Sequence, residues 1–336
     1  MKLYSQRITK LNFLKAQNYY LVGGGLNMIF FAEKIKKILN KKVTVILSKS
    51  NAKEYYNGIS LKKICQNRKL KLKIVGDFNH YIKNENISES VAFCFGPKWI
   101  FKEYTLEKFV YGMYNVNPIP LPLYMGGAHF TWQILNSEFR AGIYLQKITN
   151  QLDRGPILYS EKFFLNKKSK FPLNFFETYE PKIQNFLFKI IKKIKNNKSF
   201  KLIDMKKKYL DRIYFPRLNS NINGFINWDW NIDDIIKFIN AFSYPYPGAK
   251  TYCKKKIYFI KEAKVYNKKK HHPFCNGLVL RKNKNLVVAH RDGTLIIEKI
   301  YNDKKKDIFK KVRQGDRFYT PYKILEKALI YRPKPQ

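Results

Sequence analysis

Cysteine is scarce in this chain, acidic residues are few, and no apolar run is long enough to cross a membrane. Cys65, Cys94, Cys253 and Cys275 stand far apart among 336 residues, with no Cys-x-x-Cys pair. That excludes a disulfide scaffold and a zinc ribbon, and it suits buried thiols in a reducing compartment. His271 and His272 are adjacent, so in a strand they point apart, and of the other cysteines and histidines only Cys275 lies at ligand spacing. No metal site is expected. Residues 1–15 are punctuated by Lys2, Arg7, Lys10 and Lys15 and carry no apolar signal core. Residues 19–32 are apolar but contain three glycines and are too short to span a bilayer. The expectation is a cytoplasmic protein with no membrane insertion.

Against 66 Lys and Arg there are only 24 Asp and Glu, a formal charge of +42. Such a surface concentrates any phosphate-bearing partner. Arginine is itself rare, at eleven of the 66 basic residues. Because Arg supplies the planar fork that suits specific phosphate contacts, a Lys-dominated excess with abundant Asn and Ile points first to biased composition. All four Lys triplets, 206–208, 254–256, 268–270 and 304–306, nevertheless follow residue 200, which keeps RNA binding by the second half in view. With 45% hydrophobic and 16% aromatic residues the chain can bury substantial cores, and its length calls for two domains.

The pattern along the chain predicts an α/β first domain. A strand at 19–22 runs into Gly23-Gly24-Gly25, a helix at 28–39 follows with apolar residues at helical spacing, and a strand spans 43–47. The glycines lack dinucleotide-fingerprint spacing, so a tight turn without ligand is the reading. Further strands are expected at 72–75, 91–95, 113–116, 141–148 and 157–164. Pro181 is expected to open an amphipathic helix whose stripe is Ile183, Phe186, Leu187, Ile190, Ile191 and Ile194. The Lys-rich stretch 195–208 reads as linker material. Beyond it come a helix at 232–242 with Asp233 and Asp234 in its first turn, then short alternating strands at 257–260, 278–281, 286–289 and 294–300. The expected organisation is an α/β domain at 1–200 with a Rossmann-like, mostly parallel sheet, a linker at 201–212, and a smaller β-rich, barrel-like domain at 213–336.

Two apolar strands end in polar clusters, Asn115-Val116-Asn117-Pro118 and Leu152-Asp153-Arg154-Gly155. The carboxyl ends of parallel strands are where open α/β sheets bind ligands, because loops there present side chains over a rigid floor. Between the clusters lies the Gly-rich loop Leu121-Pro122-Leu123-Tyr124-Met125-Gly126-Gly127-Ala128-His129-Phe130-Thr131-Trp132, suited to wrap a substrate. This arrangement resembles the formyltransferase family, whose motif reads Asn-x-His-x-Ser-x-Leu-Pro-x-x-Arg-Gly followed by Leu-Asp-x-Gly. Asn115, Leu121, Pro122, Gly126, Leu152, Asp153 and Gly155 match, while Asn117 stands where the family has its catalytic His and Met125 where it has Arg. The likeness covers most of the chain. Residues 127–136 and 153–157 look most like the members that formylate amino groups of nucleotide-linked sugars.

The resemblance implies 10-formyltetrahydrofolate as formyl donor, no metal, and a nucleotide-linked amino sugar as acceptor. Charged tRNA is the alternative partner, and ligand binding without catalysis a third reading. It implies a catalytic set of Asn115, Asn117 and Asp153. A folate pocket would be walled by Phe93, Phe95, Gly96, Asn150 and Asp153, and a substrate loop would carry Met125, Gly126, Gly127, His129 and Trp132. An Asn amide can donate to a developing oxyanion. In the family the Asp orients the His that takes the amine proton, a task a neutral carboxamide such as Asn117 cannot perform. His129 is a candidate surrogate base, weighed against a structural role; Trp132 reads as a packing residue of its helix.

Overall fold

The computed structural model describes residues 10–203 and 213–333. The first nine residues, the Lys triplet at 206–208 and most of the expected 201–212 linker lie outside the described residues. In the first half the strands are β1 (Lys10–Leu11), β2 (Asn18–Gly23), β3 (Lys42–Ser48), β4 (Tyr55–Tyr56), β5 (Ile59–Ser60) and β6 (Lys71–Val75). They continue as β7 (Ser90–Phe95), β8 (Met113–Asn117), β9 (Met125–Gly126), β10 (Arg140–Lys147), β11 (Ile157–Phe164) and β12 (Phe200–Lys201). Helices α1 (Leu26–Lys34), α2 (Leu61–Asn67), α3 (Phe78–Lys83), α4 (Glu103–Glu107), α5 (His129–Leu135) and α6 (Pro172–Lys195) fall between them.

Seven strands form one sheet in the order β11-β10-β8-β7-β2-β3-β6. The five from β8 to β6 are parallel, as the alternation of strand and helix demands, and β10 and β11 add an antiparallel hairpin at the edge. Both faces of the central strands are covered, so they read as continuous apolar runs. Tyr19, Leu21, Val91 and Phe93 point to the layer of α1 and α6, whereas Tyr20, Val22, Ala92 and Cys94 point to the layer of α3. At the turn after β2, Gly24 donates to Phe95 O and Gly25 donates to Glu54 Oε2 at 3.1 Å.

One helix departs from the sequence reading. The helix expected to open at Pro181 begins at Pro172 and carries Pro181 inside it. Pro172 at the first helical position is the signal for the true start, and Asn174 Oδ1 accepts from Phe171 N–H there. Burial of Phe175, Tyr179, Ile183, Phe186, Leu187 and Ile190 against the sheet, at about 1.5–3 kcal/mol for each large side chain, outweighs the single hydrogen bond that Pro181 cannot donate.

The second half holds β13 (Tyr214–Phe215), α7 (Ser220–Asn223), α8 (Ile232–Ala241), β14 (Ala249–Cys253), β15 (Lys256–Asn267), β16 (Val279–Lys282), β17 (Leu286–His290), β18 (Gly293–Tyr301) and α9 (Tyr322–Ile330). Strands β14-β15-β18-β17-β16 make an antiparallel sheet in that order. Residues 316–319 close it: Tyr319 exchanges hydrogen bonds with Tyr252 at one edge, while Phe318 N–H donates to Gly277 O at the other. The barrel-like expectation is thus met. Asn231 caps α8, its Oδ1 accepting from Asp234 N–H, with Asp233 and Asp234 at the positive end of the helix dipole. The two halves share one hydrophobic core, in which α5 packs on α8 and Thr131 Oγ1 donates to Ala241 O. Among the described residues no helix is long and apolar enough to cross a membrane.

Candidate functional site

Asn115 and Asn117 are two residues apart on β8, so both side chains leave the same face of the sheet. Tyr144 and Gln146 of β10 stand opposite Asn117 and Asn115 respectively and share that face. Strand β10 is antiparallel to β8, which corrects one expectation: the Asp153 cluster does not follow the carboxyl end of a parallel strand. The hairpin at 148–156 leaves beside Met113, where Ile148 N–H donates to Met113 O. It then folds back over the sheet because Gln146 Nε2 donates to both Asp153 O and Gly155 O, each at 2.9 Å. Asp153 takes up a left-handed backbone at φ 52°, and a Cβ at Gly155 would lie 1.8 Å from Lys147 O. Only glycine fits there.

The returning loop brings Asp153 Oδ1 within 3.1 Å of Asn117 Nδ2, which donates to it, and Oδ2 within 2.8 Å of the Gly126 N–H, which donates to the other oxygen. Asn117 is 8% exposed. Burial raises the Asp153 carboxyl above its ordinary range, with the Gly126 and Asn117 donors pulling it back. Beside this pair, Asn115 Oδ1 is buried and has no hydrogen-bond partner among the described residues. A buried amide left unsatisfied costs about 1–3 kcal/mol, so its capacity is held open for something else.

The substrate-loop residues are placed as follows. Met125 is buried with Ile119, Leu121, Tyr144 and Ile157, so the side chain standing at the motif's Arg fills apolar space. Gly126 and Gly127 lie against residues 213–217, where Met125 N–H donates to Ile213 O and Gly127 N–H donates to Phe215 O. His129 opens α5 with its ring edge-on to Phe130 at 4.5 Å. Its apolar surroundings push the imidazole down to about 4, and it makes no hydrogen bond to Asn117 or Asp153. Trp132 packs on Phe215 at 5.1 Å, and its indole N–H donates to Pro216 O.

The folate-pocket residues divide. Phe93 is fully buried among Phe13, Tyr19, Phe31 and Tyr114, so its side chain belongs to the core and does not line a pocket. Phe95 packs on Phe31 and its carbonyl accepts from Gly24. Gly96 adopts φ 53° with open space where a Cβ would sit, and Asn150 is exposed on the returning loop. Sequence reasoning missed Gln146 and the strand β13. Gln146 did carry a signal, as the one polar residue in the buried run between Arg140 and Lys147 at the ends of its strand. A separate cavity of about 430 Å³ at the amino ends of β2 and β3, lined by Lys36, Lys41, Lys42, Lys69 and Lys71, contains none of these groups. Among the described residues no cluster of His, Cys, Asp and Glu could hold a metal ion.

Comparison with known proteins fits this architecture. A family model described as formyl transferase, C-terminal domain, matches residues 220–311. The methionyl-tRNA formyltransferase of Thermodesulfovibrio yellowstonii is 25% identical over 247 residues, covering 72% of this chain and 74% of that protein. That of Clostridium tetani is 27% identical over 205 residues, covering 59% of this chain and 62% of the relative. Among solved structures, the N-formyltransferase from Helicobacter canadensis in complex with folinic acid and dTDP-3-aminofucose superposes with a TM-score of 0.62 at 21% identity, covering 84% of this chain and 98% of that one.

Proposed function

We propose that this chain is a formyltransferase and that it transfers a formyl group from 10-formyltetrahydrofolate to the amino group of a nucleotide-linked amino sugar, a reading supported by the matching C-terminal family model and the relatives above. The observation that carries the reading is the convergence of Asn117, Gly126 and Asp153 next to Asn115, whose Oδ1 is buried with no partner among the described residues. Formyl transfer needs a donor for the negative charge that develops on the formyl oxygen and an acceptor for the amine proton. The Nδ2 N–H of Asn115 supplies the first, while its Oδ1 can only accept. Asn117 spends its Nδ2 on Asp153, which leaves its carbonyl oxygen free to accept an N–H from the incoming amine and orient it. It cannot take the proton. Asp153 is the nearest group with basicity, acting directly or through a water, and burial makes its carboxylate a stronger base than an exposed one. Losing the imidazole of the family motif lowers the rate by roughly 10²–10⁴.

The sugar acceptor is favoured by the segments 127–136 and 153–157, and by a fold shared with a structure that holds an amino-sugar nucleotide. Methionyl-tRNA is the second reading, favoured by the relatives of that activity and by the Lys triplets after residue 200. A formyl-transfer assay with the folate donor against a panel of amino-sugar nucleotides and charged tRNA separates them. Product on the sugars with little response to salt supports the proposal. Product on methionyl-tRNA with steep salt dependence replaces it. Folate binding with no product from any amine identifies a member that has lost catalysis.

A further inference from the structure

We infer that β13, in the segment leading into the barrel, is a working part of the cleft, and that Phe215 is the positioning residue that aims the Gly126 N–H at Asp153. Successive N–H groups of an extended segment point to opposite sides. Along β9 and the residue after it, the N–H groups of Met125 and Gly127 are taken by Ile213 O and Phe215 O at 2.9 and 3.1 Å, so the intervening Gly126 N–H faces the other way, to Asp153 Oδ2 at 2.8 Å. Register therefore decides which amide serves the carboxylate. A slip of one residue would present Met125 or Gly127 instead and turn the Gly126 N–H toward β13.

Two residues of pairing are a weak lock by themselves, and aromatic packing supplies the rest. The Phe215 ring stacks on Tyr124 at 4.8 Å with 15° between planes, and lies 5.1 Å from Trp132. Trp132 in turn ties Pro216 through its indole N–H at 2.9 Å. Phe215 is thus held from the residue before β9 and from the helix after it. The approach is close: a Cβ at Gly126 would lie 2.2 Å from Phe215 O. Replacing the Phe215 side chain loosens both ring contacts at once and frees the register, so the ring acts on Asp153 through Tyr124, Trp132 and the backbone of Gly126. The catalytic half of this inference rests on the function proposed above, while the geometric half does not.

The test uses the full chain carrying Phe215→Ala or Phe215→Tyr. In Phe215→Ala the Asp153 carboxyl, followed by ¹³C NMR with aspartate labelling, titrates at higher pH because a donor to its charged form is lost. The Gly126 amide exchanges faster, and kcat falls by about 10- to 100-fold while KM for the folate donor changes little. Phe215→Tyr keeps the stack and restores all three. Unchanged Asp153 titration and Gly126 exchange in Phe215→Ala overturn the inference. Should Phe215→Ala fail to fold, Trp132→Phe removes the bond to Pro216 O while keeping a smaller ring against Phe215; it is expected to move both readouts in the same direction, and unaltered values count equally against the inference. A wild-type chain that forms no product would sink the proposed function, but the titration and exchange measurements would still decide the role of Phe215.

Discussion

Two glycine turns in this molecule each give a backbone N–H to a carboxylate, and only one of them has the makings of a reaction centre. At the first, Gly25 N–H donates to Glu54 Oε2, which also accepts from Tyr56 OH, while Asn51 Nδ2 donates to Oε1 at 2.6 Å. Glu54 supplies the anion that a ligand would otherwise bring to the start of α1. At the second, Gly126 N–H and Asn117 Nδ2 give Asp153 one donor per oxygen, and the neighbouring Asn115 amide oxygen is buried with no partner among the described residues. A carboxylate offers about four lone-pair sites, so Asp153 keeps more unused capacity than Glu54. Glycine spacing alone does not separate a structural turn from a site. Unspent hydrogen-bonding capacity in a buried place does.

The strongest way to break this contrast is to neutralise each carboxylate. Asp153→Asn is expected to abolish turnover, a loss on the order of 10²–10⁴ or more, because the remaining amides have no basicity near neutral pH. Glu54→Ala should leave kcat and KM near wild type and instead lower stability by about 1–3 kcal/mol, since it strands the Gly25 N–H and the Asn51 amide. Single-turnover assays and denaturant titrations of both variants read this directly. Equal losses of activity would mean that the first turn also serves the chemistry.

Asn117→His sharpens the second turn. An imidazole at 117 has a donor to face Asp153 Oδ1 and a basic nitrogen for the amine, so turnover is expected to hold or rise, by up to about 10²-fold. Steady-state kinetics on the best acceptor tests it. A fall in kcat with intact folate binding would mean that this chain runs its proton by a route an imidazole blocks.

Much of this was legible in the residues. Apolar runs marked the strands of the first sheet, and the motif spacing grouped Asn115, Asn117 and Asp153. Strand direction was not legible, because β10 is buried along nearly its whole length and a continuous apolar run looks the same running either way. Phe93 misled for a related reason, since an aromatic side chain in a strand serves core and pocket wall equally well. Pro181 hid the true start of α6 because local propensity lost to the tertiary packing of Phe175 and Tyr179. The role of β13 was out of reach because it depends on a pairing between residues about ninety apart in sequence, and two strand residues carry no pattern.

The smallest expected effect concerns stability at Asp153 and turns on a sign. Burial holds its carboxyl above the ordinary aspartate value in spite of the Gly126 and Asn117 donors, so the folded chain binds this proton more tightly than the unfolded one. The contribution is complete below the unfolded value and is lost as pH rises through the folded value. Asparagine at 153 does not titrate. The difference in melting temperature between Asp153→Asn and wild type should therefore shift in favour of the variant as pH climbs through the acid range, and then level off. Any constant offset reflects the altered hydrogen bonds to Gly126 and Asn117, so only the slope bears on burial. A slope of opposite sign would mean that the two donors outweigh desolvation, leaving Asp153 a weaker base than the proposed proton path requires.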